Sequence, residues 1–184
     1  MIITITGKPC SGKGTAGKLF CKKYNFDYVS AGDMMRSIAK EHGYNNILEF
    51  QQKNKDIDKV DAIIDNYTSN LGKTRTGDNL LIDSRLAWHF VDKSFKVFID
   101  VDIDIASNHL LNANRENEKV ENLTQAKKTL TERWKTENER YERLYNVSNL
   151  NLKNYDLVLS SSNLTPEQLA DEIYVNYKKF MRNA

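Results

Sequence analysis

Ile2-Ile3-Thr4-Ile5-Thr6-Gly7-Lys8-Pro9-Cys10-Ser11-Gly12-Lys13-Gly14-Thr15 is the stretch whose reading decides the architecture of this chain. An apolar run with the character of a buried strand feeds a glycine-bearing loop. The loop feeds a helix that begins near Lys13, and this strand–loop–helix order gives a phosphate-binding loop its physical meaning. Gly7 and Gly12 permit backbone torsions and a close approach that a side chain would block. Amides of residues 7–15 can then turn toward phosphate oxygens at the positive end of the following helix. Lys13 supplies a point charge for the β- and γ-phosphates. The strict form of this loop has Ser or Thr directly after the lysine, whereas here Gly14 intervenes before Thr15. That departure argues against a generic ATPase.

Composition sets bounds around this site. A chain of 184 residues is one globular unit able to bury a sizeable core. No apolar stretch reaches the length that spans a bilayer. The N-terminus passes straight into strand and loop without a signal-like segment. Cys10 and Cys21 are too few for a disulfide framework or a zinc site. Both features predict a reducing, cytoplasmic setting. A net charge of +2 with 28% charged residues is a balanced surface, unlike the basic footprint of a nucleic-acid binder. The expected partners are therefore small molecules, with no nucleic acid and no membrane, and a monomer is expected.

Strands are predicted at 1–6, Phe26 to Ser30, Asn79 to Asp83, Phe95 to Asp100 and Asp156 to Ser160. Each is a short run rich in β-branched or other apolar residues, as in strands buried on both faces. The intervening segments have helical length, which implies crossovers and a parallel sheet. Helices are expected at Thr15 to Tyr24, Asp33 to His42 and Ile57 to Leu71, with a break at Gly43-Tyr44-Asn45-Asn46. A last helix opens at Thr165-Pro166-Glu167-Gln168, where Thr165 caps, Pro166 fills the first turn and Gln168 completes a capping box. The expected fold is α/β, a doubly wound five-stranded parallel sheet.

Ser30-Ala31-Gly32-Asp33-Met34-Met35-Arg36 comes directly off the second strand, and with it the chain resembles the nucleoside monophosphate kinases. The loop, with proline third and Gly-Lys-Gly-Thr last, is similar to the adenylate kinase branch. Asp83-Ser84-Arg85-Leu86-Ala87, with Arg133, Glu137, Arg140-Tyr141 and Tyr145, resembles the short archaeal-type cytidylate kinases. The resemblance covers almost the whole chain. It implies a single P-loop domain with core segments 1–32, 72–107 and 147–184, an acceptor-binding insertion at 33–71 and a lid at 108–146. It also implies ATP as donor and magnesium as cofactor. Ser30, Gly32, Asp33, Arg36 and Arg85 would hold the acceptor monophosphate, Lys13, Arg133 and Arg140 would serve catalysis, and Asp83 would hold magnesium through water.

The chemistry is consistent with these assignments. Phosphoryl transfer has a charge-spread transition state, so positioning and positive charge carry the catalysis. Arg36 lies one helical turn after Asp33, and Arg85 follows the third strand at the carboxyl edge, where ligands bind in such sheets. The bland alternative for each is a solvated surface arginine. Asp100 is a weaker metal candidate, equally readable as a helix cap. Arg133 and Arg140 are seven residues apart and share a helix face, although Glu132, Glu137, Glu139 and Glu142 could simply pair with them. His109 reads either as a base-stacking residue or as an exposed histidine, and Arg115 is a further phosphate candidate. Donor adenine is expected against Ser160-Ser161-Ser162-Asn163. The acceptor base is expected near Asp33, Gln51, Asp58 and Asp61. Trp88, Trp134, Tyr141 and Tyr145 read as packing residues. Cys10, inside the loop rather than in a core, reads as a reactive thiol. The activity expected is ATP-dependent phosphorylation of a nucleoside monophosphate, CMP or dCMP foremost, with segments 33–71 and about 108–140 closing separately. An adenylate kinase, another small phosphotransferase, or a P-loop hydrolase or switch are the alternatives. No acid–glycine switch motif follows the third strand, where Asp83-Ser84-Arg85 stands.

Overall fold

The apolar run ahead of the glycine loop forms strand β1 (Ile2–Gly7), and every one of its residues is buried. In the computed structural model, which describes residues 1–44, 47–113 and 120–183, β1 is the middle strand of five. The others are β2 (Asp27–Ser30), β3 (Leu80–Asp83), β4 (Ser94–Asp100) and β5 (Leu157–Ser160), in the spatial order β2-β3-β1-β4-β5. All pairings are parallel. Side chains alternate across β1. Ile3 and Ile5 pack with Phe20, Leu169 and Ile173 on one face, while Ile2 packs with Leu71, Leu80, Ile82 and Val91 on the other. Burial on both faces holds for β1 and β3 but fails at β2 and β5. These are the sheet's edges, and their residues are half-buried or exposed.

The helices are α1 (Lys13–Tyr24), α2 (Ala31–Glu41), α3 (Ile47–Lys53), α4 (Ile57–Thr74), α5 (Ala87–Phe90), α6 (Ile103–Leu111), α7 (Leu123–Tyr145) and α8 (Pro166–Asn183). Helix α2 starts earlier than Asp33 because the Ser30 hydroxyl caps it, accepting the Asp33 amide at 3.1 Å. The capping box at Thr165 forms as read. The Thr165 amide donates to the Gln168 side chain at 2.9 Å, and the Gln168 amide donates back to the Thr165 hydroxyl at 3.2 Å. Asn45 and Asn46 of the expected break lie outside the described residues. Two satellite cores stand off the sheet. Met35, Ala39, Phe50, Val60 and Ile64 join α2, α3 and α4, and Ala106, Leu110, Ala126 and Leu130 join α6 to α7. Among the described residues no helix is long and apolar enough to cross a membrane.

Register fixes where the working residues meet. Ser30, ending β2, lies beside Asp83, ending β3, and Asp83 lies beside Ile5 just before the loop. The carboxyl edge of the sheet therefore gathers the loop, Ser30 and Asp83 at one place.

Candidate active site

A cavity of ≈ 480 Å³ opens over this edge, lined by residues 9–15 of the loop, by residues 30–33, Met35 and Arg36, and by Gln51, Asp61, Ile64 and Asp65. Lys18, Leu19, Lys22, Tyr28, residues 83–86, Arg133, Glu137 and Tyr141 complete its wall. The loop turns through two left-handed residues, Cys10 (φ 58) and Gly12 (φ 75). Ser11 is only 1% exposed, and its hydroxyl meets no protein partner. An orphaned buried hydroxyl in a loop of this shape fits a phosphate oxygen.

Gly7 and Lys8 do not line the cavity; they anchor the loop to β4. A Cβ at Gly7 would lie 2.3 Å from the Ile99 carbonyl oxygen. The Lys8 amide donates to that same oxygen at 3.1 Å, and its Nζ pairs with Asp100 at 2.6 Å. Asp100 is thus a counter-ion of Lys8 rather than a helix cap. The cap of α6 is Asp102, whose carboxylate accepts the Asp104 amide at 2.8 Å.

Lys13 Nζ lies 3.5 Å from Asp83 Oδ1. Burial lowers its pKa against the opposing pull of Asp83, and Arg85 and Arg133 lower it further. The other Asp83 oxygen accepts the Tyr28 hydroxyl at 2.9 Å. Burial first, and then Asp83, push the Tyr28 phenol above its ordinary range. Arg85 donates from Nε to Glu137 Oε2 at 2.7 Å and from Nη1 to the Gly7 carbonyl at 2.6 Å. Arg133 Nε donates to the other Glu137 oxygen at 3.0 Å. Glu137 is 3% exposed. Burial alone would raise its pKa, but the two guanidinium groups outweigh burial and hold it at about 2. At the start of α2, Arg36 pairs with Asp33, which also lies 3.8 Å from Lys18 Nζ.

Arg140, expected at the transferring phosphate, is turned elsewhere. It is buried against α4 with its Nε 2.6 Å from Asp61 Oδ2, and it does not line the cavity. It shares a helix face with Arg133, but two turns further on that face meets α4 rather than the loop. Asp58 also stays outside the cavity, in a two-point pair with Arg143 at 2.9 Å for each contact. Asp65 accepts the Tyr145 hydroxyl at 2.7 Å. Burial pushes the carboxyls of Asp61 and Asp65 up to about 6 each.

His109 is exposed, and its Nδ1 lies 3.0 Å from the Cys10 carbonyl, which ties α6 to the loop. The Cys10 side chain packs partly against the apolar cluster of α6 and α7, so it is not a purely loop-borne thiol. Cys21 is buried and its thiol is pushed up to about 12, chiefly by burial. The turn at Ser160–Asn163 stays outside the cavity. There the Ser161 amide and hydroxyl donate to the Asp100 carbonyl at 2.9 and 3.0 Å. Arg115 lies outside the described residues. Trp88 and Trp134 pack around Phe98 and Tyr155, as expected. Sequence reasoning missed Tyr28, Asp65 and the clamping role of Glu137. Asp65 carried a signal, since it lies one turn after Asp61.

A five-stranded parallel sheet with flanking helices, a phosphate loop and converging cations defines a protein of the P-loop kinase fold. A shikimate kinase structure from Bacteroides thetaiotaomicron superposes with a TM-score of 0.64 over 97% of this chain and 98% of its own, at 15% identity, and shows the fold alone. The sequence pattern of the cytidylate kinase-like family matches residues 2–163. The cytidylate kinase of Methanococcoides burtonii is 32% identical over 162 residues, 88% of each chain. An S-adenosylmethionine-dependent nucleotide dehydratase of Lacinutrix mariniflava is 34% identical over 177 residues, 96% of this chain. The chain spans only 36% of that longer relative. This chain belongs to the cytidylate kinase-like family.

Proposed function

We propose that the protein transfers the γ-phosphoryl group of ATP to a nucleoside monophosphate, with CMP or dCMP as the preferred acceptor. The observation that carries this reading is one cavity joining the phosphate loop, Lys13, Arg36, Arg85 and Arg133, with Asp61 and Asp65 of α4 in the same lining. The loop amides and Lys13 take the donor phosphates, Arg36 and Arg85 take the acceptor phosphate, and Arg133 faces the group in transfer. No strong base is required, because charge stabilisation and alignment dominate this reaction. Asp83 and Thr15 both line the cavity with hard oxygen donors, which suits magnesium held through water and nucleotide phosphates. Both Asp83 oxygens already face Lys13 and Tyr28, which favours an outer-sphere role. When bound, the ion neutralises phosphate charge. Segments 33–71 and 108–146 close over the two nucleotides and exclude water.

Asp61 and Asp65 support an acceptor base bearing an amino group. Cytosine offers an N–H donor to a carboxylate, whereas uracil places a carbonyl oxygen there. Adenine also carries an amino group, and this keeps an adenylate kinase as the second reading. The dehydratase relative extends far beyond the part that this chain matches, so its named reaction does not carry over to this chain. The test is ADP release with ATP and magnesium across CMP, dCMP, AMP and UMP. CMP or dCMP should exceed UMP in kcat/KM by at least about tenfold, as expected where a buried polar group would be left unpaired. AMP in first place would favour the second reading, and equal ATP consumption without any acceptor would show a hydrolase.

A further inference from the structure

We propose that Glu137 is a positioning residue that sets Arg85 and Arg133 around the phosphoryl group in transfer, an inference that rests on the kinase reading. Three cations, Lys13, Arg85 and Arg133, line the cavity, and the Glu137 carboxylate is buried between the two arginines. A negative charge in a phosphate site repels the ligand, so Glu137 works against nucleotide affinity. What it provides is geometry. Its two oxygens each take one Nε–H, one from Arg85 and one from Arg133, at 2.7 and 3.0 Å. A guanidinium group is planar, so a bond at Nε restricts the plane of the whole fork. The Arg85 fork is fixed a second time by the Gly7 carbonyl at 2.6 Å.

The result is a continuous bridge from the end of β1, through Arg85 and Glu137, to Arg133 on α7. Arg85 belongs to the acceptor grip and Arg133 to the transferring group. A single carboxylate shared between them fixes the distance across which the phosphoryl group must pass. Arg133 and Glu137 lie four residues apart on α7, and Tyr141 continues the same face into the cavity. An ion pair that only fastened α7 to the sheet would leave the reaction step untouched once the protein was folded. A positioning carboxylate would not.

The experiment compares the parent with Glu137→Gln and Glu137→Asp, measuring kcat, KM for CMP and ATP, nucleotide dissociation constants and melting temperature. The first variant removes the charge at constant shape, and the second keeps the charge and shortens its reach. Both should lose kcat by at least about tenfold, since small misplacements in phosphoryl transfer are costly. Glu137→Gln should bind both nucleotides as tightly as the parent or more tightly, because a repelling charge is gone. Folded variants that keep kcat within about twofold, or that lose affinity in proportion to kcat, would overturn the proposal. Should the neutral variant not fold, the charge-retaining one decides. Turnover by the parent tests the kinase reading separately. The Nε–H resonances of Arg85 and Arg133 test the clamp without any turnover. They should move in Glu137→Gln, and unmoved resonances would count against the clamp whatever the reaction.

Discussion

Arg36 and Arg85 read alike in the sequence, as cations just beyond the carboxyl ends of strands, Arg36 in the second turn of α2 and Arg85 two residues past β3, yet the structure makes them unequal. Arg36 pairs with Asp33 near the surface, with 43% of its side chain exposed. Arg85 is largely buried and satisfies half of Glu137. Removing Arg36 therefore costs the fold little, within about 0.5 kcal/mol as for most exposed positions. Removing Arg85 leaves a buried carboxylate with one partner fewer, a loss of about 3–5 kcal/mol when such a pair is broken. Arg36→Ala should raise the KM for the acceptor while melting temperature and ATP affinity stay near the parent values. Arg85→Ala should raise the acceptor KM and also lower the melting temperature by several degrees. Equal melting temperatures for the two variants, measured by calorimetry, would mean that the Arg85–Glu137 pair contributes nothing to stability.

Helix α4 places Asp61 and Asp65 one turn apart, both buried, and burial pushes each carboxyl up to about 6. Raised values mean that between about pH 4 and 6 the folded state binds more protons than the unfolded chain. Stability from these groups is therefore greatest at the acid end of that window and falls as pH rises through it. Glu137 has the opposite sign. Its depressed value makes its contribution present at neutral pH and lost only as pH falls toward 2. Asp65→Asn keeps an acceptor for the Tyr145 hydroxyl and removes the buried charge. The variant should be more stable than the parent at pH 7, by on the order of 1–3 kcal/mol, with the difference shrinking toward pH 4. A variant less stable at pH 7 in denaturant titrations would show that the Asp65 carboxylate is well solvated or well paired. The pattern of elements was largely legible: the capping box at Thr165, the strand behind the loop and the start of α1 all follow from local sequence. The edge positions of β2 and β5 were not, because burial depends on which strands flank them and not on their own apolar content. Nor was the Arg85–Glu137 pair, whose partners are 52 residues apart.

At the scale of the whole molecule, the resemblance implies an acceptor segment at 33–71 and a lid at 108–146 as separate pieces, and two separately closing parts are the expectation that follows. The structure joins them. Asp58 meets Arg143, Asp61 meets Arg140 and Asp65 meets Tyr145, three bridges along α4 and the second half of α7. The first bridge is exposed and worth little alone, but the second is buried and the third partly so. The helix that carries Arg133 and Glu137 is thereby tied to α4, in the segment proposed to cover the acceptor. Occupying the acceptor site should then reposition the arginine wall before any donor arrives, which suits a kinase that must not hydrolyse ATP in the absence of its acceptor. Hydrogen exchange provides the check. CMP added alone should slow exchange in residues 57–74 and 123–145 together, with matching dose dependence, while β1 and β3 stay unchanged. Protection confined to 57–74, with 123–145 responding only to ATP, would restore two independent parts and leave the three bridges as packing.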